Sequence, residues 1–297
     1  MNTLWSDCVQ TSEELYESRS LRFRPDNADV WLPSLHAENG MDALEIGCAG
    51  GLLLHRVKQL IPGIKATGLD RDDNHISFAK AKTKELGLEC DFVVGDATDL
   101  PFPDNTFDLT FSHTVMEHVE TGAFLREQYR VLKPGGRIVV LAVRTRLNLR
   151  AESWKSASGE EQMLFDKLWA GVGKDVDEEL KIAAFEMDER DYPAKWAEFG
   201  FSKVDVRFFT GLCYAPDNES VSDELAERQI GEMRLSTLES VRKALARNPD
   251  GLNAGEREAL IALINERYDE RLARYRRGEK LWDMVTNTVM SVTGLKL

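Results

Sequence analysis

An α/β fold, built on a mostly parallel sheet with helices on both faces, is what this sequence predicts. Three observations carry that reading. Short apolar runs alternate with helical patterns over about 100 residues, from Asp42 to Val143. Chemically able residues (Gly47, Asp70, Asp96 and His113) follow the ends of successive runs. The last run, Ile138 to Val143, is apolar throughout, as a strand buried on both faces requires. Strands alternating with helices imply parallel pairing with right-handed crossovers, and ligands then bind at the C-terminal edge of the strands.

In chain order, residues 3 to 19 read as a polar helix carrying Leu4, Trp5, Leu15 and Tyr16. The stretch Ser18 to Pro25 is basic in an otherwise acidic protein. It is either a solvated arm or a lid whose Tyr16, Arg19 or Arg22 meets a carboxylate, since arginine offers a planar fork to such groups. A second helix is expected over Asn27 to His36, before Asn39-Gly40 turns into the first strand. That strand ends at Glu45-Ile46, and Gly47-Cys48-Ala49-Gly50-Gly51 follows at once. Leu52 to Val57 then opens a helix that Pro62-Gly63 stops. Strand, glycine turn and helix bring backbone close to a ligand, because glycine permits positive φ and the helix start offers free N–H groups. The G-x-G-x-x-G pattern of dinucleotide sites fails at Ala49 and at Leu52. An acid-x-Gly-x-Gly-x-Gly pattern fits Glu45, Gly47 and Gly51, with Ala49 for the middle glycine. That replacement asks position 49 to avoid strongly positive φ. An ordinary glycine-rich β–α turn remains the competing reading.

Lys65 to Asp70 is the second strand, and its terminal acid lies 19 residues beyond Gly51. In nucleoside-binding α/β folds a carboxylate there accepts from both ribose hydroxyls. Asp72 or Asp73 is the expected cap of the next helix, which ends near Gly87. Cys90 to Val94 is the third strand, and Asp96 beyond it suits an exocyclic amine. Leu109 to Ser112 forms the fourth strand, with His113 to Val119 leaving its tip. A helix from Gly122 to Leu132 ends at Lys133-Pro134-Gly135-Gly136, and Arg137 to Val143 is the fifth strand. Residues 144 to 186 are helical and polar. A helix entering at Tyr192 leads through Gly200-Phe201 to a sixth strand, Val204 to Phe209. Two long helices are expected over Ser222 to Arg247 and Asn253 to Arg277. In the second, Leu260, Ile264, Tyr268, Leu272 and Tyr275 form one apolar face, and Asn253 with Glu256 makes a capping box. Met284 to Val292 reads as an antiparallel seventh strand.

Six of these stretches together resemble a known family. Glu45-Ile46-Gly47, Gly68-Leu69-Asp70, Gly95-Asp96-Ala97, Leu100-Pro101-Phe102 through Phe107-Asp108, Met116-Glu117-His118-Val119 and Leu132-Lys133-Pro134-Gly135-Gly136 look like the ordered motifs of the type 11 group of class I S-adenosylmethionine (SAM) methyltransferases, which includes quinone-biosynthesis enzymes. The resemblance implies a Rossmann-like sheet of seven strands with a helical cap made of insertions. It implies that Gly47, Cys48, Ala49 and Gly51 face the methionine part of SAM. It places Asp70 at the ribose, Asp96 and Ala97 at the adenine, and Ser112 and His113 near the sulfonium. Glu45 and Arg71, beside these positions, complete the expected cofactor set, with Tyr16 and Arg22 from the lid. S-adenosylhomocysteine would be the product. The expected organisation is a lid over residues 1–40, a SAM-binding core over 41–143, an insertion over 144–186, core again over 187–215, a second insertion over 216–283, and the closing strand over 284–297.

Composition bounds the partners. The 297 residues carry a formal charge of −13 with 30% charged and 42% hydrophobic residues, which describes a soluble globular protein and argues against a nucleic-acid substrate. No apolar run is long enough to span a bilayer, and the start of the chain lacks a signal-peptide pattern, so no membrane association and a cytoplasmic location are expected. Cys8, Cys48, Cys90 and Cys213 are scattered, which fits reduced thiols. Thr114 breaks the Glu-x-x-Glu-His pattern that Glu117-His118 would complete, and no metal is expected. The Asn-Pro-Pro-aromatic and Pro-Cys signatures of DNA methylation are absent.

The reading is SAM-dependent methyl transfer to a small molecule. His113 stands as a base or as a residue that only shapes the pocket. His36, His55 and His75 are expected at the surface or in packing. Trp154, Trp169, Trp196, Phe208, Phe209 and Tyr214 line an acceptor pocket or belong to the core. A silent SAM-binding regulator is the alternative, and a nicotinamide dehydrogenase a distant third.

Overall fold

The computed structural model describes residues 4–151, 157–172, 178 and 181–297. Trp154 and residue 3 lie outside the described residues. The chain divides into two compact units. One comprises Met1–Leu147, Asp177–Gly211 and Asn287–Leu297, the other Asn148–Val176 and Leu212–Thr286.

The first unit is built on parallel strands β1 (Asp42–Ile46), β2 (Lys65–Asp70), β3 (Cys90–Val94), β4 (Phe107–His113) and β5 (Leu132–Val143). After β6 (Arg150–Ala151), which belongs to the second unit, come β7 (Phe201–Tyr214) and β8 (Met284–Lys296), whose last and first residues respectively also count with the second unit. The strand order is β3-β2-β1-β4-β5-β8, with β7 also paired to β8. Register aligns the strand tips. Ile46 lies beside Leu69 and Ser112, Asp70 beside Val94, and His113 beside Leu141. The closing strand is antiparallel, with Val140 opposite Val292, so the seven strands expected for the core are present among the described residues.

Among the described residues six α-helices of this unit precede β5: α1 (Trp5–Cys8), α2 (Ser12–Arg22), α3 (Ala28–Trp31), α4 (Leu52–Leu60), α5 (Asp73–Glu85) and α6 (Thr121–Val131). The single helix expected over residues 3 to 19 is in fact two. Thr11 and Glu14 form a capping box, each side chain accepting the other's backbone N–H, and a new helix starts there. The helix expected over Asn27 to His36 is also shorter. Pro33 has no N–H to give, so α3 passes into a 3-10 turn, Leu32–Leu35, which His36 ends at φ 52°. Lys133 to Gly136 do not interrupt the chain between helix and strand. β5 starts at Leu132 opposite Phe107, and its register then jumps to Arg137 opposite Leu109.

Alternation along β5 divides the core of the first unit. Val139 and Leu141 pack with Phe23, Trp31, Leu53, Val57 and Phe111 on one face. Ile138 and Val140 pack with Leu44, Phe124, Leu125, Trp196 and Met290 on the other. Trp196 comes from α8 (Tyr192–Glu198). Phe23, just beyond α2, is fully buried, so the N-terminal arm ends inside the main core.

The second unit is helical, with α7 (Gly159–Ala170), α9 (Asp223–Arg247) and α10 (Ala254–Arg276). Ser222 caps α9, and the expected box of Asn253 and Glu256 caps α10. Leu260, Ile264 and Tyr268 are buried against Leu164, Leu168, Ile230 and Val241, with Leu272 and Tyr275 at the margin. The two-residue β6 pairs with Met284 and Val285. Arg271 of α10 is fully buried between two carboxylates, donating to Asp217 at 2.7 Å and to Asp283 at 3.1 Å. Asp217 accepts in addition from the Leu281 and Trp282 backbone.

Removing one member of a buried ion pair strands the others without solvent. Arg271→Ala is therefore expected to cost about 3–5 kcal/mol of stability, read as a lowered midpoint in urea unfolding followed by circular dichroism.

Candidate active site

The turn after β1 is held by the end of β2. Gly47 N–H donates to the Leu69 carbonyl at 2.7 Å and Cys48 N–H donates to the same oxygen at 3.0 Å. Ala49 N–H donates to Asp70 Oδ2 at 2.8 Å, while Asp70 Oδ1 accepts from Asp72 N–H at 3.0 Å. Gly47 sits at φ 69°, and a Cβ there would come within 2.3 Å of Val115 Cγ2, so glycine is required twice over. Ala49 does not avoid positive φ as expected. It lies at φ 47°, and its hydrogen bond to Asp70 holds the chain in that region. Thr114, at the tip of β4, is also left-handed, at φ 56°, which a β-branched residue rarely adopts.

These strand tips floor a cavity of about 300 Å³. Of the residues expected around a cofactor, Gly47, Ala49, Asp70, Arg71, Asp96 and Ala97 line it. Asp96 is exposed there. Its Oδ1 accepts from Thr98 N–H and Oγ1. The remaining expected residues lie elsewhere. Glu45 is 1% exposed behind the turn, where Oε2 accepts from Leu54 N–H at 3.0 Å. Cys48 points into the main core, and burial pushes its thiol pKa up. Gly51 is the N-cap of α4 at φ 80°. Ser112 is fully buried within β4.

The arm supplies the roof. Trp5, Gln10, Leu15 and Arg19 all line the cavity. Leu15, Arg19 and Arg22 stand at i, i+4 and i+7 on one face of α2, while Tyr16 is turned about 100° from Leu15. Tyr16 accordingly meets α4 instead of the cavity. Its hydroxyl lies 3.3 Å from His55 Nδ1, and His55 Nε2 lies 2.7 Å from Thr83 Oγ1. Since the Thr83 hydroxyl donates to the Ala79 carbonyl, His55 Nε2 carries the proton and Nδ1 accepts from Tyr16. Arg19 makes no side-chain hydrogen bond among the described residues, though the Asp70 carboxylate, which also lines the cavity, attracts it. Burial lowers its pKa.

Histidines receive the arm throughout. Besides the Tyr16–His55 contact, Ser12 Oγ lies 2.8 Å from His75 Nδ1, Arg22 Nη1 donates to His113 Nε2 at 2.8 Å, and Trp5 meets His118 edge-on with centroids 5.0 Å apart. Burial lowers the pKa of all four. It brings His55 and His118 to about 4 and takes His113 well below the ordinary value, so each is neutral near pH 7. His55 and His75 are therefore not surface residues, as each is 2% exposed or less. His36 is half-buried and has no such role. His113 does not line the cavity. Its Nε2 lone pair is taken by Arg22, so Nδ1 must carry the proton, and no lone pair remains for a substrate. The aromatic residues considered for an acceptor pocket are placed otherwise too. Trp196 and Phe209 belong to the core, Trp169 and Tyr214 pack in the helical unit, and Phe208 is exposed.

The comparisons with known proteins agree with this architecture. The sequence model of a family described as a methyltransferase domain matches residues 44–140. Demethylmenaquinone methyltransferase of Staphylococcus haemolyticus is 30% identical over 190 residues, covering 61% of this chain and 79% of that protein. The chain belongs to the type 11 group of class I SAM-dependent methyltransferases. Norajmaline N-methyltransferase of Rauvolfia serpentina is 41% identical over 117 residues, and the chain spans only 39% of that relative. Among solved structures, Haemonchus contortus phosphoethanolamine N-methyltransferase 2, in complex with phosphomonomethylethanolamine and S-adenosylhomocysteine, matches 98% of this chain and 59% of its own at a TM-score of 0.53. At 15% identity the likeness is one of fold. As in the family, the methyltransferase cofactor is SAM, and no helix among the described residues is long and apolar enough to cross a membrane.

The carboxyl of Glu45 gives a test of the turn. Burial raises its pKa from 4.5 to about 8. An acid whose folded pKa is raised favours the folded state at low pH, and stability is lost as pH climbs from about 4.5 toward 8. Glu45→Gln keeps an acceptor for Leu54 and removes that ionisation. Its unfolding free energy is expected to exceed that of the parent by about 1–3 kcal/mol at pH 8, with the difference shrinking toward pH 5 in parallel urea titrations.

Proposed function

We propose that this protein transfers the methyl group of SAM to a small-molecule acceptor, with the cofactor in the cavity between the strand tips and α2. The observation that carries the assignment is the guanidinium of Arg19, which faces that cavity without a hydrogen-bond partner among the described residues. The methionine end of SAM carries a carboxylate, and an arginine fork fits it in two parallel bonds. The other residues suit the remaining parts. Each Asp70 oxygen already takes one backbone N–H and keeps a lone pair, so the pair can accept from a diol. Asp96 Oδ2 suits an exocyclic amine. Gly47 brings its backbone to the cavity wall.

SAM brings the reaction an activated methyl group on a sulfonium. The protein's part is alignment and the exclusion of water. Leu15 and Trp5 close the roof with apolar surface, and Arg19 fixes one end of the ligand against Asp70 at the other. A general base is needed only for an acceptor that holds its proton at neutral pH. His113 is unsuited to that task, because Arg22 occupies its lone pair. The small-molecule reading is supported by the net charge of −13 and by the relatives, a demethylmenaquinone methyltransferase and a norajmaline N-methyltransferase. The proposed organisation keeps a lid, a SAM-binding core and two insertions.

Incubation with methyl-labelled SAM and a metabolite extract, followed by mass spectrometry, should yield a labelled product. Asp70→Ala and Arg19→Ala should each weaken SAM binding by about 1–3 kcal/mol in calorimetry, since each removes a charge-assisted hydrogen-bonding group. Unchanged dissociation constants in both folded variants would remove the assignment of this cavity to the cofactor.

A further inference from the structure

The arm that roofs the cavity is held at its C-terminal end by an unusual pair. Arg22 is a cation that can only donate, and its Nη1 donates to the neutral ring of His113 at 2.8 Å. His113 is 2% exposed, wedged against the edge of the Phe23 ring with centroids 5.0 Å apart. The charged groups that bear on it are Arg22 and Arg19, both on α2. The other arm contacts differ in kind. Ser12 and Tyr16 carry hydroxyls, which can donate or accept, so their bonds to His75 and His55 survive either protonation state. His75 also lies near Asp70 and Asp72, which favour its charge, whereas Arg19 opposes it. Arg56 and Lys82 oppose a charge on His55. At His113 alone does an added proton destroy the contact, by removing the lone pair that Arg22 uses and setting a third positive charge beside two guanidiniums.

We infer that His113 is a positioning residue, whose neutral ring anchors Arg22 and so holds α2 closed with Leu15 and Arg19 over the cavity. The last part rests on the cofactor reading above; the anchoring itself does not. Spacing makes the coupling direct, since Arg22 and Arg19 are one turn apart on the same face of one helix. The sign follows from the ring. A solvated imidazole takes its proton near pH 6.5, and the closed arrangement disfavours that proton. The anchor's contribution to closure is therefore fully present well above pH 6.5 and weakens below it, by up to about tenfold per pH unit for one linked proton.

Amide hydrogen exchange on the full chain without ligand tests the anchor. Protection factors are used, in which the pH dependence of intrinsic exchange cancels. Those of residues 12–22 should fall between pH 7 and pH 5 while those of β4 and β5 hold. His113→Gln offers Arg22 an untitratable acceptor, and its α2 protection should lose about one proton's worth of that slope. A slope equal to the parent's overturns the proposal. Should that variant fail to fold, Arg22→Leu, at a half-buried position, releases the anchor from the other side. It should give at pH 7 the low α2 protection that the parent reaches only in acid, and unchanged protection overturns the proposal. SAM affinity measured across the same pH range separates the two readings. Affinity that ignores pH while α2 opens overturns the cofactor placement and leaves the anchor standing.

Discussion

Everything in the site depends on the bond between the Ala49 amide and the Asp70 carboxylate. The turn after β1 has no regular partner of its own. It is fixed because Leu69 and Asp70, at the end of the neighbouring strand, accept its three successive N–H groups. A left-handed alanine costs about 1–2 kcal/mol relative to a relaxed backbone, and a charge-assisted hydrogen bond of 2.8 Å is of the size needed to offset it. The same carboxylate is thereby aimed at the cavity. One residue holds the turn in shape and also faces the space the turn encloses.

The arm is attached by a different chemistry from the sheet. Its helices bury little apolar surface beyond Leu15 and Leu21. Its contacts run instead through side chains that meet Asp72, His75, His55 and His113 in turn. Such polar contacts are worth little net because water competes for both partners. Phe23, fully buried, fixes the arm's end in the core.

Much of this was legible in the residues. The strands β1 to β5, the Asp72 cap, the Asn253–Glu256 box and the antiparallel closing strand follow from periodicity and from a few short-range rules. So did Gly47, Asp70 and Asp96, because strand tips in a parallel sheet converge on one edge. What could not be read was direction. Glu45 and Cys48 lie within two residues of a cavity-lining glycine, yet both turn inward. His113 looked like a base from its position, but its lone pair is spent on an arginine 91 residues earlier in the chain. The sequence of the arm does carry a signal. Thr11-x-x-Glu14 marks a helix start, and from it the spacing of Leu15, Arg19 and Arg22 separates the cavity face from Tyr16.

The route of the chain through the two units limits how the protein can be divided. The helical unit is entered twice, over residues 148–176 and 212–286, and the second visit is left along β8. That strand covers β5, whose Arg137 to Val143 would otherwise present a bare hydrogen-bonding edge. A fragment stopping at Gly211 would therefore carry every residue that lines the cavity and still be prone to edge-to-edge association. A minimal catalytic core would have to be spliced, with both helical excursions replaced by short loops and the final eleven residues retained. The same arrangement keeps both helical excursions out of the stretch of chain that forms the turn after β1.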